Sequence, residues 1–252
     1  RSETVKLFGP VLEGIHDDCR PSVFSEGSKL ILGRAAFRFP VEYAFATAFV
    51  CSLFADYTGK LTISGNGTLT AIAADVDGAF GIGGMNTTEI NISGIRIAQV
   101  SGSYVQPNFV NDTKYGKSEP EGGAAIGSGY NGAVITLTNV NIDEALGGSK
   151  AAGIGAEYHT GVTINITGCE IAYVEGGATA AGIGGSRVSS GMTEIGNTID
   201  IKKSTITAVG GVYAAGIGSG YDTHCQANQP ICTINIDGST ISATGGKYAA
   251  GI

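Results

Sequence analysis

A short motif of small residues around one isoleucine returns six times along this 252-residue chain, and it constrains the fold more than any other feature. It reads AFGIGG at 79–84, GGAAIGSG at 122–129, AAGIGA at 151–156, AAGIGG at 180–185, AAGIGS at 214–219 and AAGI at 249–252. Repeats of this size mark solenoids, propellers or arrays, in which each unit buries its apolar face only against its neighbours. The motif isoleucines, Ile82, Ile126, Ile154, Ile183, Ile217 and Ile252, stand 44, 28, 29, 34 and 35 residues apart. This unevenness resolves when each repeat is cut in two. From Ile135, Ile164, Ile199 and Ile234, each in a T-I-x-I-like element, to the next motif isoleucine is 19, 19, 18 and 18 residues. The returns before those elements take 9, 10, 16 and 17. A core of fixed length therefore alternates with one tolerant loop.

Each core reads as three short strands. The first alternates strictly, as in TINIT at 163–167, TIDI at 198–201 and TINI at 233–236, with isoleucine on one face and Thr, Asn or Asp on the other. A second follows at Ile171, Ile206 and Ile241 after the four-residue corners TGCE, KKST and DGST. Paired glycines then turn the chain (Gly147/Gly148, Gly176/Gly177, Gly210/Gly211, Gly245/Gly246), and positive φ is the expected reason for glycine there. The A-A-G-I-G strand closes the unit. Period 2 excludes helical repeats, and an antiparallel barrel does not need small residues matched once per repeat. The prediction is an all-β fold: a right-handed, three-sided parallel β-helix of about six coils of roughly 28–35 residues, covering 58–252.

Composition fits this reading. Glycine is 41 of 252 residues, about 16% against an average near 7%, yet collagen needs a Gly-X-Y period that is absent. With 42% hydrophobic residues and a net charge of −7, disorder is not expected. The acidic balance and the lack of a Lys/Arg cluster argue against nucleic acid. The most apolar stretch, 41–55, is shorter than a bilayer span of about 20 residues, so this segment is not expected to insert in a membrane. Residues 1–57 lack the motif and are expected to form a cap or degenerate coils, KLIL at 29–32 and AFRF at 36–39 included. The chain starts at Arg1 and stops at Ile252 inside a motif, which suggests further coils beyond it.

The G-G-x-x-A-A-G-I-G pattern, with T-I-x-I strands between, resembles the glycine-rich surface proteins built as parallel β-helices, of the polymorphic outer-membrane and adhesin-like kind; GGAAIG at 122–127 echoes their GGAI motif. The resemblance spans about 58–252 and implies exposure at a cell surface, with a role in adhesion or as a structural stalk. Cysteines and sequons favour an extracellular setting as well. Cys225 and Cys232, seven apart in a polar loop, are expected to form a local disulfide. Cys19 and Cys51 are candidates for a second, though no spacing shows it, and Cys169 is left as a small buried thiol. N-x-S/T sequons stand at Asn66, Asn86, Asn91, Asn111 and Asn165.

Three surface columns are candidates for function. Four residues past each motif isoleucine come Asn86, Tyr130, Tyr158, Arg187 and Tyr221. Tyr130, Tyr158, Arg187 and Tyr221 would stack as a platform for sugar rings, with Glu157, His159, Asp222 and His224 nearby, or simply as a ladder that steadies the loops. The outward column of the first strand reads Asn91, Thr136, Asn165, Asp200 and Asn235, with Asp237 close by. Polysaccharide cleavage needs two or three neighbouring carboxylates, and the N-T-D, D-D and G-H-G elements of polygalacturonase-type enzymes are absent. Thr136 and Thr138 suggest an ice-binding row, but adjacent coils break it. No metal site or cofactor is expected: His16, His159 and His224 are isolated, and GSGYN and GSGYD at 127–131 and 218–222 lack the nine-residue calcium repeat. No phosphate loop occurs. The insert at 103–121 reads as an exposed loop. The expected function is a non-catalytic extracellular structural or adhesin-like protein. The alternatives are a polysaccharide-active β-helix enzyme and a glycan-binding module. The expected partners are end-to-end copies or surface glycans.

Overall fold

The computed structural model describes residues 59–73, 78–103, 122–157, 161–187, 196–221 and 232–252, together with four earlier strands, Ser22–Phe24, Lys29–Leu32, Ala35–Arg38 and Ala46–Ala48. No helix occurs among the described residues. The alternating T-I-x-I elements form one sheet, stacking Gly59–Ser64, Thr87–Ser93, Ala133–Thr138, Val162–Thr167, Asn197–Lys202 and Cys232–Asp237, all parallel. The strands after the four-residue corners form a second: Thr68–Ile72, Arg96–Ser101, Asn141–Ile142 with Ala145–Leu146, Glu170–Glu175, Thr205–Val209 and Thr240–Thr244. The glycine motif itself makes a narrow third sheet from Ile82–Gly84, Ile126–Ser128, Ile154–Ala156, Ile183–Gly184 and Ile217–Gly218. Successive coils contribute to the three sheets in turn, and the chain is a parallel β-helix solenoid, as the repeat predicts.

Register explains why isoleucine recurs. Ile90, Ile135, Ile164, Ile199 and Ile234 pair in sequence across the first sheet, and Ile92, Leu137, Ile166, Ile201 and Ile236 make a second column beside them. Ile82, Ile126, Ile154, Ile183 and Ile217 run up the third sheet. All but Ile234 and Ile236 are buried in one core. Burying each such side chain stabilises by roughly 1.5–3 kcal/mol, and stacking makes every coil the packing partner of two others.

The paired glycines do not have the positive φ expected of them. They are glycine because backbones touch: a Cβ on Gly177 would overlap the carbonyl of Gly148, one on Gly211 that of Gly177, and one on Gly246 that of Gly211. Positive φ falls instead in the third sheet, at Gly83, Gly155, Gly184 and Gly218, and at the corner leaving the first sheet. There Gly94, Gly168 and Gly238 share the left-handed region with Asn139 (φ 52°) and Lys203 (φ 49°). The second sheet also carries an irregularity that the repeat conceals. Between the inward residues Ile171 and Val174 stand two residues where the coil above has one, and the pairing register shifts there. Such a bulge re-aims side chains outward.

The four early strands join by antiparallel pairing. Lys29–Leu32 pairs with Gly59–Ser64 and with Ala35–Arg38, while Ser22–Phe24 pairs with Thr68–Ile72 and with Ala46–Ala48. Two of the three sheets thus continue past the first coil by antiparallel pairing, which supplies partners to strand edges otherwise open.

Candidate functional site

On the outer face of the first sheet, Asn91, Thr136, Asn165, Asp200 and Asn235 lie side by side in register, with Thr62 below them. Asp200 and Glu89 on this face are engaged. Asn235 Nδ2 donates to Asp200 Oδ1 at 2.9 Å, and Asp237 lies opposite Lys202. Lower down, Lys60 pairs with Glu89, which also accepts from Asn91 Nδ2 at 2.8 Å. The Lys60 hydrogen bond, then that of Asn91, holds the Glu89 carboxyl below its usual range. Both favour the charged form, the opposite of what a general acid needs.

The outer face of the second sheet is set by its bulges. Arg96 reaches across to Asp143 with two hydrogen bonds (Nε–Oδ1 3.2 Å, Nη2–Oδ2 2.5 Å), and Gln99 Nε2 donates to Glu144 at 2.9 Å. Tyr173, placed outward by the bulge, donates its hydroxyl proton to Glu175 at 2.6 Å. That bond to an acceptor carboxylate, aided by partial burial and by the charges of Glu175 and Glu144, pushes the phenol up to about 12 from its ordinary value of 10. In a spectrophotometric titration one tyrosine is expected to ionise late, and Glu175→Gln to bring it back toward the others. A folded pKa above the unfolded one means that this pair's contribution to stability is intact below about pH 10. It is lost as the pH rises toward 12. Ionisation of all tyrosines together would contradict the pairing.

The aromatic column fares differently from the carboxylates. Arg187 does reach Tyr221, its guanidinium carbon 6.0 Å from the ring centroid. Tyr130 is exposed two coils below Arg187, its backbone N–H bonded to Ser128 Oγ at 2.8 Å. Tyr158 lies outside the described residues. The ring beside Tyr221 comes instead from the G-G-x-x-A-A corner: Tyr213, with centroids 4.9 Å apart and planes tilted by 48°. Tyr213 in turn stacks on Tyr248, at 5.2 Å and 11°, and Lys247 Nζ lies 5.0 Å from the Tyr248 centroid. Backbone bonds fix this order: Tyr221 N–H to the Thr179 carbonyl, Tyr213 N–H to Ala178 and Tyr248 N–H to Val212. Tyr213, Tyr248 and Lys247 were not among the sequence-derived candidates. Aligning the repeats on their paired glycines, as well as on the motif isoleucine, puts Tyr213 under Tyr248 and would have found them.

Of the sequons, Asn66 is exposed in the turn between Gly59–Ser64 and Thr68–Ile72, whereas Asn91 and Asn165 lie mid-strand and half-buried. Asn86 is half-buried in a turn, and Asn111 falls outside the described residues. So do Cys19, Cys51 and Cys225, which places both expected bridges there too. No disulfide and no cluster of three metal-ligating side chains occurs among the described residues. Cys169 is buried at a corner, its sulfur accepting from Val140 N–H and donating to the Thr167 carbonyl. Burial pushes its thiol pKa up, away from nucleophilic use. No helix among the described residues is long and apolar enough to cross a membrane. No family model, curated protein or solved structure matches the chain.

Proposed function

We propose that this chain is a non-catalytic, extracellular structural or adhesin-like surface protein whose coil stack serves as a stiff stalk or filament segment. The observation that carries this reading is the register of the first sheet: six strands pair in parallel, with one shift at Gly59/Lys60 and no break in the Ile/Leu columns beneath them. Bending such a stack means stretching backbone hydrogen bonds in three sheets together while opening a close-packed core, so stiffness follows from the repeat itself. The resemblance to glycine-rich β-helical surface proteins points the same way, and the engagement of Asp200 and Glu89 leaves acid–base chemistry on the first sheet little to work with. Antibody against the coils is expected to label intact producing cells as strongly as permeabilised ones, and the purified chain to release no new reducing ends from acidic or neutral polysaccharides. Labelling only after permeabilisation would overturn the surface placement; product release would overturn the non-catalytic role.

A further inference from the structure

Of the exposed aromatic side chains among the described residues, all but Tyr130 lie together. Among the described residues, Val212 (44%), Tyr213 (43%), Tyr221 (40%) and Tyr248 (63%) form one patch at the G-G-x-x-A-A corner. Clustered exposure of this kind marks a contact surface. Arg187 stands at one end of the patch and Lys247 at the other. None of the eight x positions of the four G-G-x-x-A-A corners carries a carboxylate, and Lys247 is the exposed lysine among them (Lys150 is buried), on a chain whose net charge is −7. The tyrosines are thus flanked by two cations on an acidic protein. Beneath the rings, Arg187 Nε and Thr179 Oγ1 are buried with no hydrogen-bond partner among the described residues. Such atoms call for a polar occupant.

We infer that this strip (Thr179, Arg187, Tyr213, Tyr221, Lys247 and Tyr248) binds an anionic polysaccharide. A pyranose ring offers an apolar C–H face and a rim of hydroxyls, and the strip offers their counterparts: ring surface left uncovered by the 48° tilt of Tyr221 against Tyr213, and phenolic hydroxyls. The carboxylate or sulfate of an acidic sugar supplies an acceptor for Arg187 and Lys247. Successive corners rise by about 4.8 Å, close to the length of one sugar residue, so a chain running along the stack meets one corner per sugar.

This deepens the adhesin-like reading, on which it rests, and its test separates the two. Binding of the full chain to alginate, dextran sulfate and uncharged dextran is measured by affinity electrophoresis, with circular dichroism as the check on folding. One or both anionic polymers are expected to bind, more weakly at high salt. Tighter binding of alginate would identify carboxylate as the recognised group, and tighter binding of dextran sulfate would identify sulfate. The Tyr213→Ala/Tyr221→Ala variant is expected to lose at least tenfold in affinity, and Arg187→Ala/Lys247→Ala severalfold. No binding by the unaltered chain, equal binding of dextran, or unchanged affinity in either folded variant would overturn the site while leaving the stalk reading untouched. Cleavage of a bound polymer would overturn the non-catalytic reading and leave the site standing.

Discussion

Gly155→Ala is expected to destabilise the coil stack by about 2–6 kcal/mol, the sum of two costs. Gly155 has φ +143°, a region nearly closed to residues with a Cβ, which alone costs of order 1–3 kcal/mol. Its Cβ would also overlap the carbonyl of Gly184 in the next coil. Gly184 stands in the same relation to Gly218, so there is no slack above into which the backbone could move. Forcing such an overlap typically costs about 1–3 kcal/mol more. Gly132→Ala is the control: φ is again positive, +83°, but nothing lies within 4 Å of the added Cβ, and the expected cost is only about 1–2 kcal/mol. Urea unfolding of both variants followed by circular dichroism separates the terms. Equal losses would mean that the third sheet is not held at the spacing its glycines permit.

This contrast also shows why the fold was legible in the sequence and its glycine chemistry only partly so. Parallel stacking forces equivalent residues of successive coils into register, and a dry column accepts few side chains. Ile126, Ile154, Ile183 and Ile217 therefore recur visibly, and their pairing could be read by counting. Glycine is ambiguous because it answers two different demands. At Gly155 it answers both φ and contact, whereas at Gly177 it answers contact alone. The left-handed corner after the first sheet was hidden for the converse reason: Lys203 adopts φ 49° without being glycine. Bulges were hidden as well, since Ile171-Ala-Tyr-Val174 and Ile206-Thr-Ala208 differ by one residue that a pattern search absorbs as noise.

For the candidate site, the column counted from the motif isoleucine correctly brought Arg187 to Tyr221. It missed Tyr213 because contact between two corners of one coil depends on how the chain returns after the glycine motif. A one-dimensional repeat says little about that return. Tyr221 reaches back to the Thr179 carbonyl of the preceding coil, and its ring lies against Tyr213. The same geometry bears on stability and on recognition. Stacking Tyr213 on Tyr248 steadies the corner, while the tilt at Tyr221 leaves ring surface open to a ligand.

Ile164→Ala is expected to cost about 2–5 kcal/mol, against under about 1.5 kcal/mol for Ile236→Ala. Ile164 is fully buried between Ile135 below and Ile199 above, in a sheet whose strands hold their pairing on both sides. Removing its side chain leaves a void that neither neighbour can fill, because each is fixed by its own coil at the strand spacing. Ile236 belongs to the uppermost described coil, has a partner on one side only, and is 41% exposed. In a stack whose stability is a sum of coil and interface terms, the damage should also be local. Hydrogen exchange is expected to lose protection over Ala133–Thr138, Val162–Thr167 and Asn197–Lys202 in Ile164→Ala, while Gly59–Ser64 keeps its own. Uniform loss along the whole stack would show that the coils open as one unit, and a stalk of that kind would fail all at once under load instead of yielding coil by coil.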